Sequence, residues 1–199
     1  MPPHRDVAAF DQRAATYDQG RHGGLHHQIS RRTATLVLAQ PEPPRRVLDI
    51  GCGTGYLLRL LADRLPDATE LVGVDPAPRM VATALAGTAD QRIRFSVGVA
   101  EHLTCPDDRF DLVVSTTSFD HWSDQPAGLS ECFRVLGPGG RLVLVDQFSV
   151  WLAPTLLAGR RGKARTQRRA TRLLTEAGFR SPEWHHLYAV IIKAVTAVA

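Results

Sequence analysis

Three groups of residues carry the chemistry open to this chain. The first is Val47-Leu48-Asp49-Ile50-Gly51-Cys52-Gly53-Thr54-Gly55-Tyr56, an apolar run with one acid that stops on three alternating glycines. A turn this tight needs residues without a Cβ, because side chains disfavour positive φ and hold a ligand away from the backbone. Leu57, Leu58, Leu60, Leu61 and Leu65 then recur at helical spacing, so the turn lies at a helix N-terminus, where open amides favour an anionic group. The second is Asp75, the last residue of the strand-like Glu70-Leu71-Val72-Gly73-Val74-Asp75. A carboxylate at the tip of the strand beside a glycine turn is placed to accept both hydroxyls of a ribose. Pro76 follows it, so a helix N-cap is the competing role. The third is Thr116-Thr117-Ser118-Phe119-Asp120-His121-Trp122, a polar and aromatic loop after an apolar strand. An imidazole is a usable base near neutral pH, so His121 is a candidate to take a proton from a hydroxyl or amine; ordering the loop is its alternative.

The acid and glycines at Asp49, Gly51, Gly53 and Gly55 resemble motif I of class I methyltransferases that use S-adenosylmethionine, an acidic residue followed by Gly-x-Gly-x-Gly. The nicotinamide dinucleotide fingerprint wants its third glycine one place later, where Tyr56 is too bulky for close helix packing. Phe10 to Asp18 resembles the N-terminal lid of small-molecule methyltransferases, with an Ala-x-x-Tyr-Asp run. The resemblance makes Tyr17 a contact to the methionine end of the cofactor, packing being its other reading. It further implies that Cys52 and Ser115 lie at the cofactor, that Asp75 takes the ribose, and that Met80 walls the adenine. Many relatives carry an Asp where this chain has Val99, so the adenine amino group falls to Glu101 or to backbone near Ala100. Phe133 to Leu142 matches the family as a structural helix-to-strand joint.

The implied fold is α/β: a Rossmann-like, seven-stranded mixed sheet with its last strand antiparallel, helices on both faces and an N-terminal helical lid. The implied activity is methyl transfer from S-adenosylmethionine to an oxygen, nitrogen or carbon centre of a metabolite or natural product. An RNA methyltransferase, or a cofactor-binding relative that transfers no methyl group, are the alternatives. Ser115-Thr116-Thr117-Ser118 stands where an Asn/Asp-Pro-Pro-Tyr signature for amino groups of bases or glutamine would be. The acidic cluster of the divalent-metal catechol type is missing, and His185-His186 has no third ligand at metal spacing, so no metal is expected.

These residues must be positioned by a chain of 199 residues with 44% hydrophobic and 22% charged composition, enough for one domain with its own core. Residues 1–40 form the expected lid, 45–147 the cofactor-binding core, and 148–199 a substrate-side segment with the closing strands. Two helical pieces are predicted from Val7 to Gln40, broken at Gly20 and Gly23-Gly24. Asp124 is read as the cap of a helix from Pro126, and Gly137-Pro138-Gly139-Gly140 as a turn into a strand from Arg141 to Asp146. Val150 to Leu157 is a short apolar piece before a basic loop bordering the substrate pocket. A last helix ends across Thr171 to Gly178, and Trp184 to Val198 alternates as two strands.

Met1 to Gln12 lacks an apolar core of signal-peptide length, and Ala189 to Ala199 is short and broken by Lys193, so neither export nor a membrane segment is expected. Cys52, Cys105 and Cys132 read as reduced thiols of a cytoplasmic protein, a monomer or homodimer. The net charge of +4 comes mainly from a run of seven cations between Arg160 and Arg172. No aromatic residue interrupts that run to stack on bases, so a solvated helix face is favoured over a nucleic-acid surface.

Overall fold

The computed structural model describes residues 6–148, 166–188 and 191–199. At its centre is a seven-stranded sheet of order β3-β2-β1-β4-β5-β7-β6. Its strands are β1 (Arg46–Ile50), β2 (Glu70–Asp75), β3 (Ile93–Val97), β4 (Phe110–Thr116), β5 (Leu136–Gln147), β6 (Arg180–Tyr188) and β7 (Ile192–Val198). The first five run parallel, and β7 lies antiparallel between β5 and β6. Central strands such as β1 and β4 are near-continuous apolar runs because both of their faces are covered.

Two buried clusters cover the two faces. On one face, Ile29 and Val37 of α2 (Gly20–Leu38) and Leu57, Leu58 and Leu61 of α3 (Tyr56–Ala62) pack over Val47, Leu112 and Val143. On the other, Leu129 and Cys132 of α5 (Gln125–Val135) join Leu173 and Leu174 of α6 (Gln167–Glu176) over Leu48, Val113 and Leu144. A third, small cluster brings the lid onto α4 (Pro78–Ala86). Ala14, in the 3-10 turn Ala14–Thr16 after α1 (Val7–Arg13), packs there with Ala77 and Met80. Asp11 of α1 accepts a hydrogen bond from Arg79 N at 2.7 Å, supplying the side-chain cap that Ala77 cannot give α4.

Three local expectations are corrected. The lid breaks at residues 17–19, and α2 starts at Gly20 and runs through Gly23-Gly24. Gly23 is kept by packing: a Cβ there would sit 2.2 Å from the Asp18 carbonyl carbon. Gly137 to Gly140 does not precede β5 but belongs to it, as an irregularity between the Phe110↔Leu136 and Leu112↔Arg141 pairs. The closing pair starts earlier than Trp184, at Arg180.

The apolar piece Val150 to Leu157 and the basic loop through Arg165 lie outside the described residues. Arg168, Arg169 and Arg172 are exposed on α6. His185 hydrogen-bonds Thr196 Oγ1 at 3.0 Å, and no group of metal-binding side chains occurs among the described residues. None of their helices is long and apolar enough to cross a membrane.

Candidate active site

Strand order reverses between β1 and β4, and the carboxyl ends of β1, β2 and β4 open there onto one cleft, the place where open α/β sheets bind ligands. Its floor is Ile50, Gly51 and Gly53; Val74, Asp75, Ala77 and Met80 form one wall. Gly98, Val99 and Ala100 continue that wall, and Thr116 to Ser118 with His121 and Trp122 face it. Asp6, Val7, Phe10 and Tyr17 of the lid close the top. A smaller cavity adjoins it behind Tyr17, bounded by Asp49, Cys52, His26, His27 and Thr116.

The glycine elbow does a different job from the one expected of it. Gly51, Gly53 and Gly55 all have positive φ, at 75°, 54° and 78°. Their amides do not open onto an anion hollow. Gly51 and Cys52 donate to Val74 O, Gly55 donates to Cys52 O at 2.9 Å, and Gly53 donates to Asp75 Oδ2 at 2.8 Å. Three of the donors a phosphate would need are taken by β2 and the fourth by the turn itself, and two carboxyl groups, Asp49 and Asp75, flank the turn instead. Gly51 and Gly53 border the cleft, whereas Gly55 is a packing position whose added Cβ would meet the Phe95 ring at 2.5 Å.

Asp75 lines the cleft at 8% exposure, its other oxygen accepting from Ala77 N at 2.9 Å. It therefore braces the entry to α4 without being the N-cap, which is Ala77. Asp49 is buried to 2% exposure, and Oδ1 has no hydrogen-bond partner among the described residues. Burial, reinforced by the charge of Asp75, pushes its carboxyl up to about 8. Thr116 Oγ1, on the same small cavity, is likewise buried without a partner. The carboxyl oxygen calls for a donor and the hydroxyl for a donor or an acceptor. Cys52 is pushed well above the ordinary thiol range, chiefly by burial, and packs under Gly73 as an inert side chain.

Tyr17 lies over Gly53, stacks on His26 at 4.9 Å and lines both cavities. Burial, then the charges of Asp75 and Asp18, raise its hydroxyl to about 12, so it stays a neutral phenol. Burial lowers His26, with His22 and His27 adding to the effect. Met80 is buried at 2% and faces the cleft beside Ala77.

Besides Gly55, two candidates line neither cavity. Glu101 turns its carboxylate to Asp124 N at 3.0 Å, tying β3's exit loop to the start of α5, while its neighbour Ala100 does line the wall. Ser115 is fully buried beneath the cleft and works through Ser118: their hydroxyls lie 2.8 Å apart, and Ser118 Oγ donates to Ile50 O at 2.9 Å. Trp122 Nε1 donates to that same Ser118 oxygen at 3.1 Å, which pins the loop carrying His121.

Sequence reasoning missed three features. Thr117 holds φ 54° despite its branched Cβ, a strained conformation at the junction of both cavities. Gly98 approaches Val74 so closely that a Cβ would lie 2.9 Å away. Asp6 contacts His121 Nδ1 at 2.8 Å, and nothing at a separation of 115 residues marks such a pair in the sequence.

Residues 47–140 match the family of methyltransferase domains. A malonyl-[acyl-carrier protein] O-methyltransferase of Geobacter sulfurreducens is 34% identical over 191 residues, covering 88% of this chain and 70% of the relative. A demethylmenaquinone methyltransferase of Deinococcus radiodurans is 43% identical over 117 residues, 58% of this chain, and the match spans about half (48%) of that relative's length. In structure, a protein solved in complex with the Haloferax volcanii methyltransferase activator Trm112 superposes with a TM-score of 0.80 at 24% identity, covering 96% of this chain and 97% of the other. The motif I glycines, the sheet order with its one reversed strand, and these matches agree: the chain belongs to the class I S-adenosylmethionine-dependent methyltransferases.

Proposed function

We propose that this chain transfers a methyl group from S-adenosylmethionine to a small organic acceptor, free or carrier-borne. The observation carrying the proposal is the charge pattern of the cleft. With the amides of Gly51, Cys52, Gly53 and Gly55 already bonded and the Asp75 carboxylate beside them, the elbow repels a pyrophosphate, and the buried Asp49 Oδ1 adds an acceptor for a ligand that brings an ammonium, a sulfonium and hydroxyl donors. The residues fit that group on three counts: the glycine floor at positive φ, the unpartnered Asp49 Oδ1 and Thr116 Oγ1, and the apolar wall of Met80, Val99 and Ala100.

In this reading Asp75 holds the ribose hydroxyls, and Met80, Val99 and Ala100 hold the adenine. Asp49 and Tyr17 enclose the amino-acid end in the smaller cavity. When bound, the cofactor supplies a sulfonium methyl already activated toward a nucleophile. The protein's remaining work is positional. Trp122, Phe10 and Tyr17 exclude water and hold the acceptor in line, and such orientation supplies on the order of 7–11 kcal/mol of a barrier. His121, on the cleft, takes the proton of an acceptor that carries one. The three-part division into lid, cofactor core and C-terminal segment fits this scheme, the lid closing over the core.

Relatives named for demethylmenaquinone and for malonyl-[acyl-carrier protein] support an organic acceptor over RNA. The test is a calorimetric titration with S-adenosylmethionine, followed by a screen of quinol, phenol, amine and carboxylic acceptors for methylated product. Cofactor uptake with product from one acceptor class is the expected result. A folded protein that takes up cofactor but methylates only RNA, with affinity falling steeply in salt, overturns the assignment of acceptor.

A further inference from the structure

We infer that Asp6 is the positioning residue for His121, carried on the lid, so that closure of α1 and orientation of the proton-accepting imidazole are one event. The inference rests on the methyl-transfer reading above. Asp6 precedes α1 at the position where an aspartate ordinarily caps its own helix, yet its side chain makes no cap hydrogen bond. Its Oδ2 is instead 2.8 Å from His121 Nδ1. Phe10, one turn along, meets the same ring edge-on at 5.0 Å and 86°. Two residues of one short element thus clamp one imidazole from the side of the cleft.

The pair is half exposed, at 29% and 42%, and ion pairs in such surroundings contribute little to stability, about 0–1 kcal/mol. Orientation is what it provides. A carboxylate accepting from Nδ1–H fixes the tautomer with the proton on Nδ1 and makes Nε2 the basic nitrogen. α1 has seven residues, none of them buried, and a helix that short does not stand alone. It is held by Val7 and Phe10 packed against the Ala14, Ala77 and Met80 cluster, by Asp11 on Arg79 N and by this contact to His121, so an open lid takes the orienting carboxylate away from His121.

Ring-nitrogen NMR on histidine-labelled full chain, at alkaline pH with saturating S-adenosylhomocysteine, tests this. The His121 signals are assigned by their loss in His121→Gln. Wild type is expected to carry its proton on Nδ1. Asp6→Ala is expected to move most of the population to the Nε2–H form, and Asp6→Glu to restore the wild-type pattern. S-adenosylhomocysteine affinity should stay within a few-fold in all three. Wild type already in the Nε2–H form, or a tautomer indifferent to Asp6→Ala, overturns the inference while leaving cofactor binding intact. Should Asp6→Ala fail to fold, the wild-type and Asp6→Glu tautomers decide. Wild-type protein that is folded and binds no S-adenosylhomocysteine overturns the methyl-transfer reading itself, and this inference with it.

Discussion

Replacing Asp49 by Asn tests the electrostatics of the elbow with a signed prediction. Burial raises the Asp49 carboxyl from 3.8 to about 8 in the folded protein. Below about pH 4 both states hold the proton; from there to about pH 8 the unfolded chain has lost it and the native chain has not. The native state then binds more protons, so stability falls as pH rises through this window. A shift of roughly 4 units at about 1.36 kcal/mol each sets the loss on the order of 5 kcal/mol. Asn has the same shape and no proton to lose, so Asp49→Asn carries no such slope. Urea unfolding of cofactor-free wild type and variant from about pH 5 to about pH 9 reads the difference directly, because every other carboxylate is common to both. The variant should gain on wild type by several kcal/mol as pH rises, while binding S-adenosylmethionine about 10- to 100-fold more weakly, the loss of a charge-assisted bond. A stability difference that does not change with pH refutes the argument.

The glycines should separate by what their missing Cβ would touch. Gly51→Ala places that atom 2.3 Å from Ser118 Cβ at φ 75°, so a loss of about 3 kcal/mol is expected in denaturant unfolding, whereas Gly53→Ala, with only a Tyr17 ring carbon at 4.0 Å, should cost about 1–2 kcal/mol of backbone strain. Gly55→Ala strikes Phe95 at 2.5 Å and should destabilise by about 2–4 kcal/mol, with the cofactor affinity of the folded fraction unchanged in calorimetry. Tyr17→Phe should leave that affinity near wild type, since its hydroxyl bond to His26 is long at 3.4 Å, and Tyr17→Ala should weaken it about tenfold by uncovering the elbow.

Local chemistry made much of this molecule legible. Alternating glycines after an apolar run announce a strand-to-helix turn, and apolar runs on both faces announce covered parallel strands, so β1, β2 and β4 fell where the pattern put them. Asp75 at the tip of β2 followed from the same reasoning. What the pattern lacked was register between distant segments. The elbow's amides were expected to face a ligand because nothing in Gly51 to Gly55 reveals that Val74 O and Asp75 lie close enough to take them. Glu101 was drawn toward adenine because Val99 stands where relatives carry an accepting Asp, but a strand exit does not fix side-chain direction, and its carboxylate accepts from Asp124 N. Ser115 was placed at the cofactor, yet the alternation of β4 turns it inward and leaves Thr116 on the cleft. Asp6 and Thr117 carry no local signal, one acting across 115 residues and the other through a dihedral angle.

The central claim is that the bonded elbow and its two carboxylates grip one sulfonium nucleotide. Isothermal titration of S-adenosylhomocysteine into wild type and Asp75→Asn, with circular dichroism to verify folding, addresses it most directly. One molecule bound per chain, and an affinity at least about 100-fold weaker in the variant, is the predicted outcome. Equal binding by the two folded proteins, or none by wild type, contradicts it.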